Sequence, residues 1–407
     1  MVPEKFPKIE TIDDVLPWIA NKTEIPVRTK SVNGKNLTIV CYQIAGKDTF
    51  DNPYARECRG LVFDASGKIV CRPFHKFFNV NEREETQERA LKDRKIVSLQ
   101  PKMDGTMISW FNLDGTWLPK TKKSFERPEI DGALATPEYL SGSVTRLVSA
   151  LGKEYTATFE YTSPTNRIVV DYKEPHLTLL AVRHNVSGEY LPYNVLKTFA
   201  EDSGCRFVES LDKQGIDALL SQARTKTTPD FEGWVAVFDS GERVKIKTIG
   251  YLRAHKLLGG LTLKNVLENW ADENLDDMLA FLRGNGFPTQ ANDIEKIGEM
   301  ARTSVSEKIE QITKTTNELL KTKASASPET FYREAFQTLG KTLKNPGRVN
   351  VAMRLLRGQE VSWQEFTKKY LIKDLLEEWT KEKPEIRGPQ KIGFGEGNGK
   401  DDQWQSR

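Results

Sequence analysis

The stretch Pro101-Lys102-Met103-Asp104-Gly105 stands directly before a strand-like run, Thr106–Phe111. A lysine that bonds covalently to a substrate must attack as the free amine, and partial burial beside other cations favours that form. Asp104 can hold the turn, and Gly105 lets the backbone come close to a nucleotide. Taken alone the motif is weak, because matches of this length arise by chance in roughly one chain in ten of this size, and a solvated turn explains most of them.

Its company along the chain changes the odds. Phe159-Glu160 ends an alternating run, and Phe231-Glu232-Gly233-Trp234-Val235 opens another. In Val244-Lys245-Ile246-Lys247 both lysines fall on one strand face and both aliphatics on the other. Two ammonium groups on one face repel, which makes sense under a polyphosphate, although an edge strand blunted by lysines is the bland alternative. Upstream, Arg56-Glu57-Cys58-Arg59-Gly60-Leu61-Val62-Phe63-Asp64 and Arg72-Pro73-Phe74-His75-Lys76-Phe77-Phe78-Asn79 add basic residues in an aromatic, strand-like setting.

The ordered series Arg59-Gly60, Lys76-Phe77-Phe78-Asn79, Lys102-x-Asp104-Gly105, Lys122, Phe159-Glu160, Glu232-Gly233 and Lys245-x-Lys247 resembles the RNA ligase 1 family of T-even bacteriophages, within the covalent nucleotidyltransferases. Ser163-Pro164-Thr165-Asn166-Arg167-Ile168-Val169 looks like that family too, and the match runs from about residue 40 to 256. The resemblance implies an ATP-dependent RNA ligase that joins 5′-phosphate and 3′-hydroxyl ends of single-stranded RNA through a lysyl-AMP and an adenylylated RNA. It makes Lys102 the nucleophile. Arg59, Lys76, Lys245 and Lys247 would contact the ATP phosphates, Glu160 the ribose or a metal, and Glu232 a metal, with Mg²⁺ or Mn²⁺ as the ion. Gly105 would lie at the nucleotide, Val235 would pack on adenine, and Lys122 matches an essential basic position, with Lys120 and Lys123 close enough to compete for it.

DNA ligases usually carry an arginine five places after the nucleophile, where this chain has Met107, and an OB-fold after the paired lysines. Both departures disfavour a DNA ligase or capping guanylyltransferase. A non-catalytic RNA-binding module of the same fold would be expected to have lost Lys102 or a carboxylate, and none is missing.

The elements that must position these residues are of two kinds. To about residue 250 the turn pairs Asn33-Gly34, Ser66-Gly67, Asp114-Gly115, Ser187-Gly188 and Ser240-Gly241 separate runs rich in β-branched and aromatic residues, which predicts hairpins. Thr11–Ile19, Tyr139–Leu151 and Leu191–Glu201 have helical spacing. The fold class is therefore α+β, with antiparallel sheets and flanking helices over residues 1–250, which the resemblance makes an adenylyltransferase domain, and an all-helical domain over 251–382, expected to recognise RNA. In the latter, apolar residues recur at three and four along Leu263–Arg283, Ile294–Leu320, Phe331–Leu343 and Phe366–Trp379. Ser327 before Pro328, and Ser362 three places before Glu365, mark helix starts. Pro, Gly and charge dominate 383–407, which predicts a disordered tail.

With 407 residues, 38% hydrophobic and 29% charged, the chain reads as a soluble protein of two domains. Its net charge of +3 is the difference of 60 basic and 57 acidic residues, so nucleic-acid affinity must come from local clusters. The most basic stretch, Tyr332 through Gly358, holds Arg333, Lys341, Lys344, Arg348, Arg354 and Arg357 around the turn Asn345-Pro346-Gly347. In the related phage enzyme the helical domain is associated with tRNA recognition, which makes a cleaved tRNA a natural partner alongside single-stranded RNA ends. Cys41, Cys58, Cys71 and Cys205 lack the spacing of a zinc site and read as reduced, structural thiols. No run approaches the roughly 18 apolar residues of a membrane span, and the N-terminus has no apolar core of signal-peptide length, which points to the cytoplasm; a monomer is expected. His75 and His255 are expected to serve packing or the surface rather than catalysis.

Overall fold

The protein's structure, a computed structural model, describes residues 6–43, 45–46, 48–323 and 327–382, so the tail expected to be disordered lies outside the described residues. Two compact units emerge, one ending at His255 and a second beginning at Lys256, with the boundary inside the helix Ile249–Gly259.

The first unit holds strands β1 (Val27–Val32), β2 (Lys35–Cys41), β3 (Arg59–Phe63), β4 (Ile69–Cys71), β5 (Phe78–Asn79) and β6 (Ile96–Pro101). They are followed by β7 (Thr106–Leu113), β8 (Thr116–Lys120), β9 (Tyr155–Thr162), β10 (His176–His184), β11 (Gly233–Phe238) and β12 (Arg243–Lys247). These make three four-stranded sheets, ordered β1-β2-β3-β4, β10-β9-β7-β8 and β5-β12-β11-β6. Asn33 and Gly34 (φ 51° and 76°) and Asp114 and Gly115 (φ 49° and 88°) turn left-handed to close tight hairpins, as their residue types require. Ser66-Gly67 and Ser240-Gly241 lie between paired strands as well, while Ser187-Gly188 closes only onto the single bridge Arg183 to Tyr190. The pairing is antiparallel except for β12 with β5, which is parallel.

Helices depart from the sequence expectation where a local residue interrupts the period. Tyr139–Leu151 breaks at Gly142 (φ 78°) into Pro137–Leu140 and Ser143–Leu151. Thr11–Ile19 becomes a 3₁₀ turn and one helical turn, with Pro17 near the start of the latter. In contrast, Leu191–Glu201 matches a single helix, Tyr193–Ser203.

Beneath the sheets, a fully buried ion cluster ties distant chain segments together. Glu57 accepts both guanidinium arms of Arg183 at 2.7 Å, and Nε of Arg72 at 3.1 Å. Arg72 also donates to the carbonyls of Pro7, Asn185 and Val186. The two arginines hold the Glu57 carboxyl down at about 2 despite its burial.

The second unit is helical throughout its described residues: Leu263–Ala271, Leu275–Gly284, Pro288–Thr322, Pro328–Leu343, Pro346–Leu356, Trp363–Phe366, a π-helical turn Thr367–Leu371, and Ile372–Glu382. Leu263–Arg283, one periodic stretch in sequence, is two helices because Glu273 adopts φ 62° between them. Ser327 and Ser362 cap as their spacing implies, accepting from the backbone N–H of Thr330 and Glu365. Leu267, Ile312, Leu339, Ala352, Leu371 and Leu375 lie at the centre of this unit's apolar core. No helix among the described residues is long and apolar enough to cross a membrane.

Candidate active site

Lys102 opens the four-residue link that carries the chain from β6 in one sheet to β7 in another, so it stands at the seam between them. Its backbone N–H donates to Gly233 (2.8 Å), the residue that starts β11, and its Nζ reaches the Glu232 carboxylate at 2.8 Å. Glu232 is buried and takes Lys247 Nζ on its other oxygen at 3.0 Å. The nearest charge to the lysine is thus a shared carboxylate, where the sequence pattern alone led one to expect cations.

The rest of the link is fixed by contacts the motif does not reveal. Asp104 is buried and accepts hydrogen bonds from the backbone N–H of Val169 and Val170 (both 2.8 Å) and from the Tyr251 hydroxyl (2.7 Å). It therefore holds the segment after Ser163-Pro164-Thr165-Asn166 against the link, which gives that stretch a structural role. Gly105 lines the cavity, but its need for no side chain comes from β9: a Cβ there would lie 2.2 Å from the Tyr161 carbonyl oxygen. Its N–H donates to Glu160 (3.1 Å).

A cavity of about 860 Å³ opens in front of Lys102. Arg59, Gly105, Lys122, Glu160, Val235 and Lys245 all line it. Nine basic side chains face three acidic ones around its wall, an excess that suits a polyanion. Lys245 stands opposite Val235 in the β11–β12 register and over the Phe77 ring, 4.8 Å from its centroid. Burial, together with Arg59, Lys76 and Lys102, pushes the Lys245 ammonium down to about 7. Burial pushes the Glu160 carboxyl up to about 7, against the pull of Lys102 and helped by Glu232.

Three of the sequence-derived residues stand off the cavity wall. Glu232 and Lys247 reach it through Lys102, whereas Lys76 lies behind, near Glu82 (3.5 Å) and over the rings of Phe50 and Phe78. Among the competing lysines, Lys120 is fully buried and donates to the carbonyls of Gly60 and Lys122, while Lys122 and Lys123 face the cavity. Lys122 sits 4.2 Å over the Tyr42 ring. Gly60 (φ 105°) makes room for this arrangement, since a Cβ would fall 2.5 Å from the Lys122 carbonyl oxygen. Arg59 contacts the sulfur of Met107 (3.2 Å). His75 is occupied by the Tyr190 hydroxyl at 2.8 Å, and His255 is exposed beside Tyr251.

Sequence reasoning missed Arg243, Phe74, Arg28 and Lys30, all on the cavity wall. Arg243 was findable, because it extends the Lys245-Lys247 alternation by one step on the same strand face. The others come from segments whose approach only the fold decides.

A family model described as RNA ligase matches residues 57–251, which carry the whole cavity wall except Arg28 and Lys30. That region is similar to the phage-type RNA ligase family. A provisionally named RNA ligase of Thermovibrio ammonificans is 34% identical over 236 residues, 56% of this chain and 60% of that protein. RNA ligase 1 of bacteriophage TS2126 is 31% identical over 261 residues, 62% of this chain and 65% of the relative. The matched part thus spans under two thirds of the length of these two family members. An RNA ligase of Rhodothermus phage RM378 is 24% identical, covering 81% of this chain and 84% of the relative. An archaeal ATP-dependent RNA ligase structure aligns at 12% identity with a TM-score of 0.43, over 74% of this chain and 78% of that one, too low a score to bear on the fold.

Proposed function

We propose that the protein is an ATP-dependent RNA ligase that seals 5′-phosphate and 3′-hydroxyl ends of single-stranded RNA through a lysyl-AMP on Lys102. The observation that carries this reading is the Lys102 Nζ at the foot of a cavity with nine basic and three acidic side chains. Lys102 attacks the α-phosphorus of ATP and pyrophosphate leaves; AMP passes to an RNA 5′-phosphate; a 3′-hydroxyl then displaces AMP. Each step spreads negative charge over equatorial oxygens in line with the attacked bond, so fixed cations lower the barrier more than acid–base groups do. Arg59, Lys122 and Lys245 would hold phosphate oxygens, Lys247 would share Glu232 with the nucleophile, Lys76 would strengthen the field behind Lys245, and Val235 would flank the base.

Among the described residues no cluster of three or more metal-binding side chains forms. Two neighbouring carboxylates, Glu160 and Glu232, fit an ion that arrives with substrate phosphates and keeps its waters, as Mg²⁺ or Mn²⁺ does. Bound there, the ion would offset phosphate charge. Glu232 would exchange its lysine contacts for it, and Glu160 would bind it as the carboxylate.

Incubation with ATP and magnesium is expected to add the mass of one AMP to the wild-type chain and none to Lys102→Ala. An adduct of unchanged yield on Lys102→Ala would rule out this nucleophile. A cleaved tRNA is the substrate favoured by the basic stretch Tyr332–Gly358 of the helical unit, and sealing assays on nicked tRNA, RNA single strands and DNA single strands rank the choices.

A further inference from the structure

Arg243 is the one cavity residue whose surroundings call for an anion on grounds separate from the sequence motifs. Its guanidinium lies 4.3 Å from the Tyr190 ring centroid and 5.5 Å from that of Phe74. Aromatic faces hold the group flat and strip its water but accept no N–H in the manner of a carboxylate. Its Nε is shut off from solvent and meets no acceptor. The carboxylate of the adjoining buried cluster, Glu57, is already shared between Arg72 and Arg183. Yet Arg243 reaches the cavity wall. A desolvated, planar, forked donor without a carboxylate is suited to bidentate binding of phosphate oxygens.

Its place along β12 selects which phosphate. Lys247, Lys245 and Arg243 alternate on one strand face, and Lys247 shares Glu232 with Lys102 at one end of the row. Strand residues two apart are about 6.6 Å from each other along the axis, so Arg243 stands one such step beyond Lys245 from the nucleophile's end. In an in-line displacement the leaving group departs on the side opposite the attacking atom. We propose that Arg243 grips the β- and γ-phosphates of ATP and stabilises the departing pyrophosphate. This rests on the ligase reading and adds to it a residue dedicated to the first step. There the Nζ–P bond forms, the bond from α-phosphorus to the bridging oxygen breaks with its electron pair going to pyrophosphate, and the amine proton passes to water. In sealing, AMP leaves and no pyrophosphate is involved, so Arg243 has no part in it.

The test uses the full chain and measures two half-reactions: adenylylation of Lys102 by ATP, and sealing of an RNA strand already carrying a 5′-adenylate. Arg243→Gln is expected to slow adenylylation roughly 10–100-fold, the loss of charge-assisted hydrogen bonds to a phosphate. It should also raise the pyrophosphate concentration needed to run that step backwards, while leaving sealing of the adenylylated strand within about twofold. Arg243→Lys, which keeps the charge and loses the fork, should fall between. Equal loss of both half-reactions in both variants would make Arg243 a structural residue, and loss of sealing alone would assign it to the RNA backbone; either overturns the proposal. If the glutamine variant is unfolded, the lysine variant decides by the same comparison. A wild-type chain that takes up no AMP would instead fail the ligase reading itself, and this proposal with it.

Discussion

Glu160 and Lys245 bracket the cavity's behaviour with pH. The Glu160 carboxyl stands near 7 where 4.5 is ordinary, so below 7 it is increasingly protonated and cannot serve a cation. Apparent Mg²⁺ affinity is therefore expected to fall as pH drops through 7, measurable from the metal dependence of adenylylation at pH 6 and 8. The Lys245 ammonium, also near 7, loses its charge as pH rises, so the KM for ATP should climb above neutrality in the wild type. Lys245→Arg, charged throughout, should flatten that climb. The same Glu160 shift sets a stability trend. A carboxyl raised from 4.5 favours the fold below 4.5 and loses that advantage as pH rises to 7. Glu160→Gln should be more stable than wild type at pH 8, by on the order of 1–3 kcal/mol, and equal to it near pH 4, which thermal or denaturant melts would resolve. Gly105→Ala should destabilise by about 1–3 kcal/mol, since its methyl would meet the Tyr161 carbonyl at 2.2 Å.

At the scale of elements, the position of Lys102 depends on two strands in different sheets and on what pins the link between them. Asp104 does the pinning, through Val169, Val170 and Tyr251. Tyr251→Phe removes the hydroxyl that meets Asp104 at 2.7 Å and is expected to cost about 1 kcal/mol of stability. Because the link carries Lys102, adenylylation should slow as well; an unchanged rate would show that the link holds its place without this contact. The Glu57 cluster acts similarly between the helix Pro53–Glu57, the residue that follows β4 and strand β10. Glu57→Ala leaves two buried guanidinium groups facing each other, for an expected loss of about 3–5 kcal/mol in denaturant melts.

Across the whole molecule, cations fall into two groups, those locked in ion pairs and those open to a partner. In the helical unit Arg348 belongs to the first, pairing with Asp374 at 2.7 Å and with Glu378 at 3.3 Å. Arg354 and Arg357 are exposed; among the described residues the Arg354 guanidinium donates to the Glu360 carbonyl, and Arg357 lies near the Tyr332 ring. Reversing both to glutamate is expected to weaken RNA sealing and lower the salt dependence of RNA affinity by roughly 0.7 per lost phosphate contact, with Lys102 adenylylation unaffected. Arg348→Glu should instead lower stability, because it sets three acidic groups together. Sealing and salt dependence that stay unchanged in the double reversal would remove this surface from RNA binding.

Sequence by itself determined the kinds of element and supplied the residues on which the proposed chemistry rests. The ordered lysines, arginine and carboxylates carry the resemblance behind the proposed phosphoryl transfer, and turn pairs such as Asn33-Gly34 and Asp114-Gly115 announce hairpins because few residues tolerate their left-handed backbone. Alternation and helical periodicity are local properties, and the chain spells them out. Tertiary structure alone decided which charges meet. Glu232 lies 130 positions from Lys102 and still takes its amine at 2.8 Å; Tyr251 lies 147 from Asp104. It also gave Gly105 its reason, the Tyr161 carbonyl, and revealed Lys120 as a buried side chain bonded to the Gly60 and Lys122 carbonyls. Pairings of this kind depend on sheet order and on how strands from separate sheets converge, and no spacing along the chain encodes a distance across such a seam.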